Sequence, residues 1–431
     1  MSEADIVAIA GFLALFGLMA LRVPVGVAMG VVGLGGFAAI TGWKPALNQL
    51  AIAPLRTITD YNTSLIPMFV LMGVFATRTG ISSELFRAGQ AWLGHRRGGL
   101  ALATISACAG FAAISGSSVA TAATMSKVAL PEMRRAGYSD RLATGVVAGG
   151  GTLGILIPPS VVLAVYAFIT EQNVGALFIA GIIPGLLAVL MYMGTVQVAF
   201  GRELPRGVRV SLGDRLRSLR GIWAVVLLFV AIIGGIYGGI VTPTEAASAG
   251  AVLTALIGIL RGRLNFRDMR ACLIEALRTS VSIYTILMGA MLFGYFLAIT
   301  QTPQKITAWL AGLDIGAYPT LALILLFFLI MGCILDAMAM IILLVPIVYP
   351  VIVQLGFDPI WFGIVVVMTV ELGLITPPIG MNVFVINAIA RDTSLMTIFR
   401  GVMPFVVVDI LRLGIIVALP ALVLWLPRTM G

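Results

Sequence analysis

The sequence predicts an all-α polytopic membrane protein built from two inverted repeats. The chain is 60% hydrophobic and 10% charged, whereas a soluble domain is about half apolar and about a quarter charged. Uncharged apolar runs of spanning length recur from end to end. Two of them are interrupted by adjacent prolines, Pro158-Pro159 and Pro377-Pro378, which are related by an offset of 219, the difference between 377 and 158. The shared offset indicates a duplication.

The apolar runs divide the chain into two halves of similar layout. In residues 1–200, spans are predicted at about 4–21, 24–41, 61–77, 142–170 and 174–200. In residues 221–427, they are predicted at about 221–241, 243–260, 280–300, 359–390 and 401–427. The broken helices are 142–170 and 359–390. The arginine-rich segment 201–220 is expected to be a basic cytoplasmic connector.

Two further apolar runs, about 98–133 and 317–355, are too long for one spanning helix. Each is interrupted centrally, by Ser115-Gly-Ser-Ser118 and by Gly332-Cys-Ile-Leu-Asp336. We interpret each as a re-entrant helical hairpin that enters and leaves the membrane on one side. Each half then has about five crossings, an odd number, so the halves have opposite orientations, as in many secondary transporters.

The basic residues predict the orientation. Most arginines fall in loops that share one side of the membrane, and the other side keeps Lys44, Arg56, Lys305 and Arg428. Positive residues are retained in the cytoplasm, so the N-terminus is expected outside. The first hairpin would then open to the cytoplasm and the second to the outside.

The proline breaks and the hairpin tips are the candidate sites. A helix cannot continue intact through two prolines, and broken backbone at membrane depth must be buried in protein or line a cavity. Free carbonyls, serine hydroxyls and the Asp336 carboxylate would suit Na⁺, with one site in each half. Half-helix N-termini would attract an anion. The alternative is that the prolines only kink helices whose serines bond the preceding turn.

Three more ionisable residues lie in apolar spans. Glu371 precedes Gly373 by two residues, and its role is left open between function and structure. Asp409 and Arg412 are three apart on one helical face, a spacing that favours a structural ion pair.

Several other functions are not indicated. Cys108, Cys272 and Cys333 are widely spaced in apolar context, which predicts neither a disulfide framework nor a transition-metal site. The net charge of +9 reports membrane orientation rather than nucleic-acid binding. The sequence contains no ATP-binding P-loop and no residue set typical of an enzyme, so an ion gradient is the expected energy source.

Four motifs, taken in order, carry a family resemblance. They are Gly116-Ser-Ser-Val-Ala-Thr-Ala-Ala-Thr-Met continuing through Leu130-Pro-Glu-Met-Arg-Arg-Ala-Gly-Tyr138, then Gly154-Ile-Leu-Ile-Pro-Pro-Ser, Thr242-Pro-Thr-Glu-Ala-Ala, and Leu374-Ile-Thr-Pro-Pro-Ile-Gly-Met-Asn. Over nearly its full length, the chain resembles the large membrane subunit of tripartite ATP-independent periplasmic (TRAP) transporters, a DctM-like permease.

This resemblance implies a function and partners. It implies sodium-coupled import of an organic anion, a carboxylate or sugar acid, across the bacterial inner membrane by an elevator mechanism. A small four-helix membrane subunit, expected as a separate chain, and a periplasmic substrate-binding protein would be the partners. Solute selectivity would reside largely in the binding protein. Na⁺ is the coupling ion, and no other cofactor is implied.

The resemblance also implies site residues. The first sodium site would use Ser115, Gly116, Ser117, Ser118, Gly154 and Pro158. The second would use Cys333, Asp336, Gly373, Thr376 and Pro377. The candidates for solute binding are Ser117, Thr152, Pro159, Glu371, Pro378 and Asn382.

Two alternatives remain open. One is a stand-alone sodium–carboxylate carrier of similar architecture that works without a binding protein. The other is a passive channel or scaffold whose proline breaks gate a pore. Sodium dependence and partner dependence of uptake would separate all three.

Overall fold

The computed structural model describes residues 2–201, 204–205, 207, 210–312 and 315–430. All elements in these ranges are helices, so the all-α prediction is confirmed. Among the described residues, eight helices are long and apolar enough to cross a membrane, or nine if the pair Trp43–Thr59 and Asn62–Arg78, bent by 63°, forms one span. Seven of these eight fall on predicted spans, and the eighth, Ala337–Gln354, is half of the second predicted hairpin. Two further predicted spans fall on the shorter apolar helices Val25–Thr41 and Pro359–Ile375.

The described residues of the N-terminal half form ten α-helices. They are α1 Glu3–Ala20, α2 Val25–Thr41, α3 Trp43–Thr59, α4 Leu65–Arg78, α5 Ile81–Leu93, α6 Gly99–Ser115, α7 Ser118–Arg135, α8 Asp140–Leu156, α9 Val161–Thr170 and α10 Val174–Ala199. Helices α3 and α5 lie outside the predicted spans. Both mix apolar with charged residues, such as Arg56 and Glu84, so neither has an apolar run of spanning length.

The described residues of the C-terminal half form eleven α-helices. They are α11 Leu212–Phe229, α12 Gly235–Tyr237, α13 Pro243–Leu260, α14 Phe266–Thr300, α15 Thr302–Ala311, α16 Ala317–Gly332, α17 Ala337–Gln354, α18 Pro359–Ile375, α19 Met381–Ile389, α20 Leu395–Ala418 and α21 Ala421–Leu424. A short π-helical stretch, Val230–Gly234, joins α11 to α12.

The segment 201–220 is not a connector along its whole length. Helix α11 begins inside it, where the Ser211 hydroxyl accepts a hydrogen bond from the Asp214 N–H at 3.2 Å and caps the helix. Arg202, Arg206 and Arg209, which contribute to the predicted basic character, lie outside the described residues.

Helix boundaries repeat along the chain. Helices α7 and α17 begin and end at positions related by the offset of the proline pairs, and so do α8 and α18. The offset therefore extends to the ends of whole helices. This agreement supports the division into two repeats, which stays a prediction.

The two broken helices form the centre of the bundle. Every residue of α8 from 142 to 156 and of α18 from 361 to 375 is buried, as expected for helices that are apolar on all sides. At the periphery, the long helix α14 packs along α2, where Gly26 and Gly289 allow their backbones to touch. Helix α14 also packs against α3, α4 and α17.

Arg134, at the end of the first hairpin, forms polar contacts with the C-terminal half. Its guanidinium lies 2.7 Å from Asp140 and 3.0 Å from Asp392, and it donates to the Thr393 hydroxyl at 2.8 Å. The hydrogen bond from Arg134 lowers the pKa of the exposed Asp392 carboxyl below its ordinary value. The loop between α19 and α20 is thereby held against α7 and α8.

Candidate functional site

The tip of the first hairpin lies between α6 and α7, against the first proline break. Gly116 has φ +59°, and Ser117 caps α7 by accepting a hydrogen bond from the Ala120 N–H at 3.3 Å. A Cβ added to Gly116 would lie 2.8 Å from the Pro159 carbonyl oxygen. A Cβ added to Gly154 would lie 2.6 Å from the Ser117 carbonyl carbon. Tip and break are therefore in backbone contact.

Local hydrogen bonds shape this tip. The Thr121 hydroxyl donates to the Ser117 carbonyl at 2.8 Å and lies 2.9 Å from the Ser115 hydroxyl. Ser115 and Ser118 are buried, whereas Ser117 is half-buried. Of the predicted serines, Ser117 therefore has the most accessible side chain.

The second tip repeats this arrangement with a carboxylate. Asp336 caps α17, and its Oδ1 accepts hydrogen bonds from the N–H groups of Met338 at 2.9 Å and Ala339 at 3.1 Å. A Cβ added to Gly373 would lie 2.7 Å from the Gly332 Cα, so the end of α16 touches the last turns of α18. Cys333 is half-buried, and the Thr376 hydroxyl donates to the Leu372 carbonyl at 2.6 Å.

The two proline breaks, each with a cis Pro-Pro peptide bond, differ in burial. Pro158 and Pro159 are buried, and α10 covers this break closely enough that a Cβ on Gly181 would lie 2.7 Å from the Leu156 carbonyl oxygen. Pro377 and Pro378 are exposed. The equivalence of the two breaks in sequence therefore does not extend to their surroundings.

One cavity of about 420 Å³ lies between the two tips. Its lining includes four of the predicted residues, namely Gly116, Ser117, Ser118 and Asp336. The first residues of four helices also border it, because Ser118 begins α7, Val161 begins α9, Ala337 begins α17 and Met381 begins α19. Each hairpin also packs on the opposite half, α7 against α19 and α17 against α9.

Helix α14 forms another wall of this cavity, a role that the sequence analysis missed. It contributes Thr279, Ser282, Ile283 and Ile286. Hydroxyl residues recur at positions 279, 280, 282 and 285, at the start of the predicted span 280–300, and this local polarity was the available signal. It is weak, because serine and threonine in spanning helices commonly bond their own backbone.

Two other cavities contain charged residues. One of about 910 Å³ is lined by residues that include Arg56, Asp60 and Glu171. Another of about 570 Å³ is lined by residues that include Arg78, Lys127 and Glu275. Val70 lines the cavity between the tips and Val74 lines the 570 Å³ cavity, one turn further along α4.

The remaining predicted residues do not line the cavity between the tips. Ser115, Gly154, Gly373, Cys333, Thr376 and the four prolines belong to the tips and breaks around it. Thr152 and Glu371 lie instead in a buried polar network. The Tyr192 hydroxyl is 3.0 Å from the Thr152 hydroxyl and donates to Asp409 at 2.7 Å.

Arg412 completes this network. Its Nη2 lies 2.6 Å from the Glu371 carboxylate and 2.9 Å from the Asp409 carboxylate, and all three side chains are fully buried. The predicted pairing of Asp409 with Arg412 is confirmed. The participation of Glu371 was not foreseen, because it lies on a different helix.

Asn382 is a buried polar residue outside this network. It belongs to the first turn of α19, and neither its amide oxygen nor its amide nitrogen has a hydrogen-bond partner among the described residues. Its neighbour Met381 lines the cavity between the tips. In the described ranges, no group of three or more His, Cys, Asp or Glu residues could hold a metal ion.

Apolar spanning helices with two interrupted helices beside a cavity between two hairpin tips define the architecture of a membrane transporter. The sequence matches the family model described as "Tripartite ATP-independent periplasmic transporter, DctM component" over residues 12–422. The chain therefore belongs to the DctM family of tripartite ATP-independent periplasmic transporters. The resemblance carried by the four motifs is confirmed, and the chain is a transport permease rather than an enzyme.

Individual relatives agree with this assignment. The chain is 41% identical over 407 residues, 93% of its length, to the C4-dicarboxylate TRAP transporter large permease protein DctM of Pseudomonas aeruginosa, covering 94% of that protein. It is 34% identical to the isethionate TRAP transporter permease protein DctMQ of Oleidesulfovibrio alaskensis, with 95% of this chain covering 65% of that longer protein. It is 30% identical to the ectoine TRAP transporter large permease protein TeaC of Halomonas elongata, covering 96% of this chain and 97% of the relative.

The fold is also similar to a solved structure. The crystal structure of the YdaH transporter of Alcanivorax borkumensis superposes with a TM-score of 0.65 and 15% identity, covering 88% of this chain and 90% of that one. At this identity the likeness concerns the fold alone.

Proposed function

We propose that this chain is the large permease subunit of a sodium-coupled importer of an organic anion in the bacterial inner membrane. The observation that carries this proposal is the cavity of about 420 Å³ bordered by two hairpin tips and four helix beginnings. It combines groups suited to an anion with groups suited to a small cation.

The helix beginnings favour an anionic solute. Each helix N-terminus carries about half a positive charge, which arises from the aligned peptide dipoles of the helix. Four of them, from α7, α9, α17 and α19, border the same cavity. A carboxylate placed there would meet several partial positive charges without requiring a lysine or arginine in the lining.

Asp336 supplies a reason for sodium coupling. Its carboxylate lines the same cavity and would repel an anionic solute at short range. A bound Na⁺ would offset this charge and accept oxygen ligands from nearby carbonyls and hydroxyls. The cation would therefore bind before the solute or together with it, which is what symport requires.

The arrangement of the helices supports an elevator mechanism. The cavity between the tips is lined by both hairpin tips and both broken helices, and also by α14 and Val70 of α4. A boundary between two groups of helices is where one group can slide past the other. The cavity that contains Arg78 and Lys127 would be the exit on the arginine-rich, cytoplasmic side.

The relatives support the partners and the solute class. Two of the relatives are named for C4-dicarboxylate and isethionate, which are small organic anions. A third is named for ectoine, which extends the range of solutes to other small organic molecules. The match to 65% of DctMQ supports a small second membrane subunit as a partner of this chain. The family's name describes a tripartite periplasmic transporter, which supports delivery by a periplasmic binding protein.

Reconstituted uptake tests the proposal. Proteoliposomes would contain this chain with or without the small subunit, the binding protein and a sodium gradient, and candidate anions would be supplied outside. We expect uptake only when the small subunit, the binding protein and the sodium gradient are all present together with this chain. Uptake that needs sodium but no partner would identify a stand-alone carrier, and uptake without a sodium gradient would identify a passive channel.

A further inference from the structure

Thr152 and Glu371 occupy equivalent places in the two broken helices. They are related by the same offset as the proline pairs, and each precedes by two positions the glycine that a hairpin end touches, Gly154 in α8 and Gly373 in α18. Any movement of these last helical turns would therefore displace the hairpin ends that contact them.

A continuous chain of polar contacts joins these two positions. It runs from Thr152 to Tyr192 at 3.0 Å, to Asp409 at 2.7 Å, to Arg412 at 2.9 Å and to Glu371 at 2.6 Å. Tyr192 belongs to α10, and Asp409 and Arg412 belong to α20. The network thus links both broken helices through two neighbouring helices.

Burial makes this link stiff. All five side chains are buried, so water does not replace a contact that lengthens. Separating a buried charge from its partner leaves it uncompensated, which is far more costly than breaking a surface pair. The last turns of α8 and α18 are therefore expected to move together.

We propose that the network from Thr152 to Glu371 couples the two candidate cation sites, so that a cation at one hairpin tip raises the affinity at the other. A cation that draws the first tip onto Gly154 sets the last turn of α8, and the network transmits this position to the last turn of α18 at Gly373. The inference rests on the proposed function. The five residues of the network are positioning residues, which do not touch the ion.

Thr152→Val and Tyr192→Phe, tested separately, remove the two hydroxyls of the network with little change in volume. Thr144→Val is the matched control, because Thr144 is a buried threonine of the same helix whose hydroxyl donates to the Asp140 carbonyl at 2.6 Å. The measurement is the sodium dependence of solute uptake by the complete transporter. A protein-assembly check by size-exclusion chromatography accompanies each variant.

We expect the wild type and Thr144→Val to show cooperative sodium dependence, with a Hill coefficient of about 2. Each network variant should show a coefficient near about 1 and at least about a fivefold higher half-saturating sodium concentration, the lower range of typical coupling factors. The maximal rate at saturating sodium should stay within about twofold, because neither Thr152 nor Tyr192 lines the cavity between the tips.

Two results would overturn the coupling. The first is wild-type cooperativity in both variants, with or without a lower maximal rate, since a purely structural role changes the amount of active protein. The second is a wild-type sodium dependence that is itself non-cooperative. Absence of any sodium dependence in the wild type would remove the proposed function and this inference with it. If Tyr192→Phe does not assemble, Thr152→Val decides alone.

Discussion

At the scale of single residues, Ser117 and Asp336 share one structural role and differ in charge. Each is the residue before the second helix of a hairpin, each caps that helix, and each lines the cavity between the tips. Capping alone accounts for their presence at these positions. The accessible cavity beside them is what points to a further role, which substitution can separate from capping.

Asp336→Asn should raise the sodium concentration for half-maximal uptake by about tenfold, equivalent to about 1.4 kcal/mol. Asparagine caps a helix as well as aspartate does, so the melting temperature should change little. Asp358→Asn is the control, because Asp358 caps α18 with similar bonds of 2.8 and 3.1 Å and is not among the residues lining the cavity. If Asp336→Asn showed the same sodium dependence as the control Asp358→Asn, Asp336 would be excluded from the coupling site.

Asn382→Leu should abolish or strongly reduce uptake without destabilising the protein. Its amide lacks a described partner, so replacing it by an apolar group of similar volume should change the free energy of unfolding by less than about 1 kcal/mol. Thermal unfolding and uptake are measured on the same preparation. Asn387→Leu is the contrast, because the Asn387 amide donates to the Thr393 carbonyl at 2.8 Å. Normal uptake by Asn382→Leu would assign the amide no part in binding.

At the scale of elements, the broken helices and the hairpins depend on close backbone contact. Helix α8 touches the first tip at Gly154, and α18 touches the end of α16 at Gly373. The cover over the breaks is unequal, since α10 buries the first break while the prolines of the second are exposed. We therefore expect the second break to rearrange more easily during transport.

Gly154→Ala should destabilise the protein by about 1–3 kcal/mol, because a Cβ there would lie 2.6 Å from the Ser117 carbonyl carbon and overpacking has this typical cost. The displaced tip should also weaken sodium binding. Gly414→Ala in α20 is the control, since its Cβ would meet no described atom within 4 Å and alanine should favour the helix by about 1 kcal/mol. Thermal unfolding of both variants checks this, and an unchanged Gly154→Ala would contradict the packing described.

At the scale of the whole molecule, the distribution of charge and the pairing of two halves are the governing features. Arginines cluster in loops assigned to one side, while most of the bundle is apolar. Helix boundaries that recur at one constant offset support two related halves, and the opposite orientation of these halves stays a prediction. Orientation and coupling stoichiometry are therefore properties to test on the complete chain.

Cysteine labelling in intact cells tests the orientation. Cysteine in place of the exposed Lys44 should react with a membrane-impermeant maleimide, because this residue is expected outside. Cysteine in place of the exposed Arg217 should react only after permeabilisation. The unsubstituted chain reports any background from Cys333, which is half-buried. The reverse pattern would invert the predicted topology.

Transport of a monoanion should be electrogenic. Two sodium ions with one monoanion carry one net positive charge inward, and this charge gains about 2.3 kcal/mol at 100 mV. Each tenfold sodium ratio adds about 1.4 kcal/mol per ion. Clamping the potential at zero should slow uptake and lower the accumulation ratio in proteoliposomes. If the accumulation ratio of the monoanion did not depend on the membrane potential, fewer than two sodium ions would move in each cycle.

The sequence by itself determined the features that depend on local chemistry. Apolar length defined most spanning helices, paired prolines marked where α8 and α18 end, and the constant offset between matching motifs predicted two related halves. Ser117 and Asp336 could be identified because residues at helix beginnings carry a local signature. These signals do not depend on which helix lies beside which.

The tertiary structure decided how faces of distant helices meet. It brought Ser117 and Asp336 to one cavity, added α14 as its wall, and directed Thr152 and Glu371 into the network of Arg412. It also buried one proline break and exposed the other. The role of Glu371 could not be determined from the sequence, because its partner Arg412 lies 41 residues away. The role of a buried charge depends on the partner that packing places beside it.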